Sequence, residues 1–169
     1  MKTKMLTLGV LAVLLIFPFL WGCPYESKVP LGKSCKAEID QALLGEWRST
    51  EKGESFTMTI QPFNEHELLI LGTEKGKTQP DAIRAFVTTI KDERFLNVQD
   101  VKDQPDKRGW WLVKYTISGD TLTAWTVDDK LFTKPVTSSR ALYRFVKKNL
   151  NNKELYGDVS PTVLRRVKK

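Results

Sequence analysis

The feature that most constrains the fold is an alternation of apolar and polar residues that recurs between residues 46 and 127. In "SFTMTIQPF", the apolar side chains of Phe56, Met58 and Ile60 fall on one side of an extended chain, and polar side chains fall on the other. A period of two indicates a strand with one buried face. Similar segments follow: "HELLILG", "IRAFVTTI", "RFLNVQ", "WWLVKYTI" and "TLTAWTV". With "EWRST" before them, they predict seven antiparallel strands, an arrangement typical of barrels and sandwiches.

Two helical segments and a last strand complete the predicted elements. "KAEIDQALLG" predicts a short helical turn before the first strand. "TSSRALYRFVKKNLNN" predicts one late helix that Ser138 or Ser139 can cap. Its apolar residues recur at helical spacing: Leu142, Phe145, Val146 and Leu150. "TVLRRV" then predicts a closing strand, because an unpaired barrel edge would favour aggregation.

This order of elements, with "GEW" opening the first strand, resembles that of the lipocalin and calycin barrels. In that family, the tryptophan of a Gly-x-Trp motif seals the narrow barrel end, and an arginine from a late element stacks on it. The resemblance implies that Trp47 has the first role, and Arg144 is a candidate for the second. The expected fold is mainly β: an antiparallel up-and-down barrel of about eight strands, lipocalin-like, with a short N-terminal helical turn and one C-terminal helix before the closing strand.

The N-terminal end has the pattern of an export signal. "MKTK" is followed by 21 residues without charge, from Met5 to Tyr25. A short basic segment before an apolar run is typical of a secretory signal peptide. The run is also long enough to span a bilayer as a retained helix. Pro18 argues against that alternative, because proline disturbs a continuous helix.

"LWGC", Leu20 to Cys23, resembles the lipobox of bacterial lipoproteins. In that family, cleavage falls between the residues equivalent to Gly22 and Cys23, the thiol then carries a diacylglycerol, and the new amine is acylated, for example with palmitate. The resemblance implies a signal peptide over residues 1–22, a lipidated cysteine with a flexible tether over 23–36, and a single barrel domain over 37–169. The alternatives are an uncleaved anchor, or ordinary secretion with a Cys23–Cys35 disulfide.

These segments predict a location in the bacterial cell envelope, attached to a membrane, with the inner or outer membrane left open. The chain has 27 Lys and Arg against 20 Asp and Glu, a net charge of +7. The surplus is concentrated in the last residues, "VLRRVKK". This tail either touches anionic headgroups or is a solvated terminus. The export pattern argues against a nucleic acid partner.

Residues that could carry catalysis are few. The chain has one histidine, His66, in "NEHEL", and a metal site needs several His, Cys or carboxylate ligands that converge. No Gly-x-Ser-x-Gly elbow or phosphate-binding loop occurs. We therefore expect no catalytic residue, no metal and no cofactor, and a hydrolase or isomerase is the least favoured class.

The apolar residues of the strands suggest a binding function. A small barrel is either packed solid or encloses one ligand. If a cavity exists, the predicted lining residues are Trp47, Phe56, Met58, Ile60, Trp111, Tyr115 and Trp125. The resulting hypothesis is a non-catalytic, membrane-anchored envelope lipoprotein that binds a small apolar or lipid-like ligand. The alternative is a solid barrel that serves as an interaction or structural module for an envelope protein.

Overall fold

The computed structural model describes residues 23–50, 56–74, 80–102, 108–158 and 160–168. The strands in this part of the chain are β1 (Glu26–Ser27), β2 (Gly45–Ser49), β3 (Phe56–Pro62), β4 (Leu68–Glu74), β5 (Asp81–Ile90), β6 (Glu93–Asp100), β7 (Trp110–Ser118), β8 (Thr121–Thr126) and β9 (Thr162–Arg166). One helix, α1 (Ser139–Asn149), and three 3₁₀ turns (Ser34–Lys36, Gln41–Leu43 and Lys153–Tyr156) complete the described elements. The signal peptide predicted for residues 1–22 lies outside the described residues.

Strands β2 to β9 form a closed antiparallel barrel. Each strand from β2 to β8 pairs with the next along the chain, and β9 pairs with both β8 and β2. The predicted fold class is confirmed: the structure is a mainly β, eight-stranded closed barrel, with one helix before the final strand. This architecture is compatible with a lipocalin-like barrel. Ser138 caps α1, because its hydroxyl accepts a hydrogen bond from the amide of Ala141.

The two ends of the barrel are distinguished by the strand directions. At one end, β2 begins with Gly45 and β9 ends with Arg166, and we call it the plug end. At the other, β8 ends with Thr126 and β9 begins with Thr162, and we call it the Cys23 end because Cys23 lies beside residues that follow β8. The hairpin turns β3–β4, β5–β6 and β7–β8 lie at the plug end.

The alternation along the strands produces two apolar layers. The inner layer fills the barrel, and its members are Leu43, Trp47, Phe56, Met58, Ile60, Leu68, Ile70, Ile83, Ala85, Leu96, Val98, Trp111, Val113, Tyr115, Leu122, Ala124 and Leu164. The outer layer lies between the barrel wall and α1, and its buried members are Tyr25, Leu31, Ile90, Phe95, Leu112, Val127, Leu142, Val146, Leu150 and Leu155. Because opposite faces of the same strands supply both layers, the wall of the barrel is buried on both sides where α1 covers it.

Residues 24–32, which we call the strap, lie against the barrel within the segment 23–36 for which the sequence predicts a flexible tether. The amide of Tyr25 donates to the carbonyl of Val127 at 2.9 Å, and β1 pairs with the first residues of β7. Leu31 is buried, and its amide donates to Oδ1 of Asn97 at 2.6 Å. A two-residue strand and isolated apolar residues give no periodic pattern, so the sequence showed only the Pro, Gly and charged residues of this segment.

Candidate functional site

Cys23 is exposed at the point where the described chain joins the barrel. Its carbonyl accepts a hydrogen bond from the amide of Asp129 at 3.0 Å, and Pro24 forms a β-bridge with Asp128. The thiol is free and solvent-accessible, and so is that of Cys35, so the two cysteines form no disulfide in this structure. The residue predicted to carry lipid is therefore fixed through its backbone to the barrel, while its side chain remains available for modification. Lipidation itself stays a prediction.

A groove of about 420 Å³ begins next to Cys23, and we call it the Cys23 groove. Its lining residues are Pro24, Tyr25, Glu26, Lys28, Asp129, Phe132, Thr133, Lys134, Pro135 and Val136. Aromatic rings form the base of the groove. The ring of Tyr25 stacks on that of Phe132 with 3.5 Å between centroids. The centroid of the Phe132 ring lies 4.4 Å from that of Phe145 in α1. The strap, the segment after β8 and the helix are therefore joined by a continuous aromatic contact.

At the plug end, Trp47 of β2 is part of the inner layer of the barrel. Its ring is fully buried, and its indole nitrogen donates to the carbonyl of Leu43 at 2.8 Å. The guanidinium of Arg166 lies 4.2 Å from the ring centroid. The same guanidinium donates to the carbonyls of Leu44 and Ala42, each at 2.6 Å. Arg166 thus ties the 3₁₀ turn at Gln41–Leu43 to the last strand and covers the tryptophan.

The prediction of Arg144 for this stacking role is wrong. Arg144 is exposed on α1, whereas Arg166 lies directly opposite Trp47 in the β2–β9 ladder. The strand pattern contained the signal for this, because Arg166 is two residues after the buried Leu164 and so shares its inward face. The helix could not supply the arginine, since its inward positions are apolar and pack on the outer wall.

A polar cluster around Asp40 closes the rest of the plug end. One carboxylate oxygen of Asp40 accepts from the hydroxyl of Tyr115 at 2.8 Å and from the guanidinium of Arg94. The other oxygen caps the 3₁₀ turn through the amide of Ala42. Burial, followed by the Asp40 carboxylate, raises the pKa of Tyr115 far above its usual value. The phenol therefore stays protonated at physiological pH and acts here as a hydrogen-bond donor that holds the turn against the barrel.

A second groove, of about 470 Å³, lies beside the β3–β4 turn, and we call it the Glu67 groove. Its lining residues are Ser34, Cys35, Asn64, Glu65, His66, Glu67 and Arg84. Two nitrogens of the Arg84 guanidinium donate to the buried Glu67 carboxylate at 2.6 and 2.7 Å. Burial would raise the pKa of Glu67, but hydrogen bonds from Arg84, Asn64 and Ser34 and the charge of Arg84 together lower it. The carboxylate is thus ionised and fully engaged.

His66 also has a structural contact in this groove. Its Nδ1 lies 2.9 Å from the carbonyl of Ala37, which can accept a hydrogen bond from that nitrogen. The ring therefore joins the β3–β4 turn to the chain segment that leads into the plug. Within the described residues, no three His, Cys, Asp or Glu side chains are grouped closely enough to hold a metal ion.

The structure brings together six of the seven predicted lining residues. Inside the barrel lie Trp47, Phe56, Met58, Ile60, Trp111 and Tyr115. They pack on one another, and each keeps at most 4% of its surface exposed. The seventh, Trp125, faces outward, where the ammonium group of Lys114 lies 5.5 Å from its ring. Its neighbours Ala124 and Thr126 occupy the buried face of β8, so the strand period directs Trp125 to the other side.

The basic C-terminal segment lies at the plug end, away from Cys23. Arg166 is part of the plug, and the ammonium group of Lys168 pairs with Asp120 in the β7–β8 turn at 2.9 Å. Two of the charges that were expected either to touch headgroups or to be solvated are therefore engaged with the barrel itself.

Comparisons with known proteins do not assign this chain to a family. No family model, no curated protein and no solved structure matches this chain. In the portion of the chain that the structure describes, no helix has the length and apolar character to cross a bilayer.

Proposed function

We propose that this chain is a membrane-anchored lipoprotein of the bacterial cell envelope, and that its barrel is a non-catalytic module that interacts with another envelope component. The anchor rests on the "LWGC" resemblance, together with the position of Cys23, whose thiol is exposed at the first described residue. Several acyl chains on one cysteine would hold the barrel to a bilayer, since each buried CH₂ contributes roughly 0.8 kcal/mol.

The packing of the barrel interior is the observation that favours an interaction module over a ligand carrier. The residues of the inner layer keep at most 6% of their surface accessible, Ala124 having the largest value. A ligand-sized cavity lined by these residues would leave more of their surface accessible to a water-sized probe. The two grooves described above lie on the outer surface and are candidate regions for contact with another molecule.

Binding of a lipid-like ligand inside the barrel is the second candidate. It is supported by the convergence of six predicted lining residues, all apolar or aromatic, on one interior. Entry of a ligand would require these side chains to move apart, at the cost of their mutual contacts. The two candidates therefore differ in a measurable way, namely whether the folded barrel binds an apolar probe.

The anchor is tested by mass spectrometry of the protein extracted from bacterial membranes. The wild-type chain is expected to begin at Cys23 and to carry the mass of a diacylglycerol and a third acyl chain. Cys23→Ser should abolish this mass increase and leave unprocessed precursor or a soluble form. Cys35→Ser is the matched control, because Cys35 is also free and exposed, and it should remain fully acylated. Acylation that persists in the Cys23→Ser variant would refute the anchor.

The barrel is tested with a fluorescent fatty-acid analogue added to the Cys23→Ser protein. A solid interaction module predicts no saturable binding. Saturable binding with a Kd on the order of micromolar, about −8 kcal/mol, would favour the ligand carrier, provided that Ala124→Trp weakens it. Ala124 faces the interior, so a tryptophan there would occupy the space that a ligand needs. Thr123→Trp, on the outward face of the same strand, is the control.

A further inference from the structure

The solvent face of α1 carries only positive charge. The helix sequence, "SRALYRFVKKN", contains no acidic residue. Its four cations are all exposed: Arg140, Arg144, Lys147 and Lys148. At about 100° per residue, they fall within an arc of roughly 100° on the side opposite the buried residues Leu142 and Val146. The helix therefore presents a continuous basic stripe away from the barrel.

These four cations have no carboxylate partners among the described residues. Elsewhere in the described residues, seven cations form ion pairs within 4.0 Å: Arg48, Arg84, Arg94, Lys102, Lys114, Lys130 and Lys168. None of the salt bridges within the described residues includes a residue of α1. The stripe consequently keeps its full charge for an external anionic partner.

The basic stripe is connected to the region of Cys23. Tyr25, two residues after Cys23, stacks on Phe132, and Phe132 contacts Phe145 of α1. Two more exposed lysines, Lys28 and Lys134, line the Cys23 groove between these elements. The segments that carry Cys23, the two groove lysines and the helix cations therefore meet at one aromatic cluster. We call the six cations, Lys28, Lys134, Arg140, Arg144, Lys147 and Lys148, the basic face.

We propose that the basic face docks on anionic phospholipid headgroups of the membrane to which the chain is attached. The inference rests on the proposed anchor at Cys23 and specifies which surface of the barrel meets the bilayer. Because the strap joins the barrel immediately after Cys23, an acylated Cys23 would hold this region within reach of the headgroups. Exposed Lys and Arg side chains near an anionic surface are attracted to it, and a polybasic patch can add to the membrane affinity of a lipid anchor.

The test is an amine-labelling footprint of the full chain reconstituted into vesicles. Two vesicle types are compared: phosphatidylcholine alone, and phosphatidylcholine mixed with phosphatidylglycerol. We expect acetylation of Lys134, Lys147 and Lys148 to slow by about threefold or more in the anionic vesicles, and to recover at high salt because the attraction is screened. The exposed lysines Lys33, Lys36 and Lys91 serve as internal references and should label equally in both.

Equal labelling of the basic face in the two vesicle types would overturn the proposal and would leave that face to an acidic protein partner. Slower labelling of the reference lysines instead would also overturn it, because the barrel would then present another side. The mass of the peptide that begins at Cys23, read from the same digest, reports acylation independently. Failure of the anchor and failure of the docking face are thus distinguished in one experiment.

Charge reversal provides a second measurement. Arg140→Glu with Arg144→Glu should remove the salt-sensitive protection of Lys147 and Lys148, since the exposed helix face loses four units of positive charge. The matched control is Arg48→Glu with Arg165→Glu, which changes the net charge equally on exposed positions of β2 and β9. The control should keep the protection. Loss of protection in both variants would show that only net charge matters and would contradict a defined docking face.

Discussion

The plug end and the basic face use the same residue types in opposite ways. At the plug end, Arg166 donates hydrogen bonds to backbone carbonyls and Arg94 donates to Asp40, so both guanidinium groups are engaged within the fold. On the basic face, Arg140 and Arg144 project into solvent without carboxylate partners among the described residues. Arginine therefore stabilises the fold in the first region, and in the second it is available for an external partner.

The end of the barrel that is sealed differs from the end at which the segment after Cys23 joins it. The plug end is sealed by an aromatic ring, a 3₁₀ turn and two arginines. The Cys23 end joins the strap to the residues after β8 and leaves the thiol in solvent. A substitution in the first region should thus change stability, and one in the second should change contacts with the membrane.

The largest effect is expected for Trp47→Ala. The ring is fully buried and donates to Leu43, so its removal creates a cavity and leaves that carbonyl without its partner. We expect the free energy of unfolding to fall by about 3–5 kcal/mol, measured by urea denaturation. Trp125→Ala, on the outer face, should cost clearly less. If the free energy of unfolding falls by less than about 1 kcal/mol in Trp47→Ala, the ring does not seal the plug end.

Arg166→Met should have the next largest effect. It removes two charge-assisted hydrogen bonds and the contact with the Trp47 ring, and we expect a loss of about 2–4 kcal/mol. Arg144→Met is the matched change on the basic face and should stay within about 0.5 kcal/mol, because the side chain is exposed there. Equal losses in the two variants would contradict the contrast between the two regions.

Glu67→Gln should destabilise the protein in a pH-dependent way. At pH 7, we expect a loss of about 1–3 kcal/mol, since Gln cannot form the ion pair with Arg84. The pKa of Glu67 lies below its ordinary value of 4.5 in the fold. The stability from the ionised carboxylate is therefore complete above the unfolded pKa and is lost as the pH falls through the folded one. The urea midpoints of the two proteins should converge as the pH falls below 4.5; a gap that stays constant would count against the ion pair.

Asn97→Ala should have the smallest effect on global unfolding, and its main effect should be confined to the strap. Asn97 is buried, accepts from the Leu31 amide and donates to Thr88. We expect a loss of about 1–2 kcal/mol, because the strap can leave the wall and expose the freed groups to water. Limited proteolysis should detect new cleavage within residues 24–32. If the strap stays as resistant as in the wild type, Asn97 does not hold it.

The barrel could be predicted from the sequence because strands such as β3 and β8 contain a clear period of two. The buried face of β3 is predicted by the spacing of Phe56, Met58 and Ile60. The buried face of α1 is predicted in the same way by Leu142 and Val146, which lie at helical spacing. Contacts between distant segments carry no such local pattern. The pairing of Arg166 with Trp47 depends on the register of β9 against β2, a contact between strands more than a hundred residues apart. The position of the strap likewise depends on distant partners, namely Asn97 and Val127.

The placement of Cys23 decides whether a lipid anchor would hold the barrel in one orientation. Hydrogen exchange of the membrane-reconstituted chain measures whether the residues after Cys23 are fixed to the barrel. We predict that the amides of Tyr25 and Leu31, which donate to Val127 and Asn97, exchange on the order of a hundredfold more slowly than an unstructured peptide. Exchange of residues 24–32 at the unstructured rate, with β7 still protected, would show that the segment is a free tether and would contradict the account.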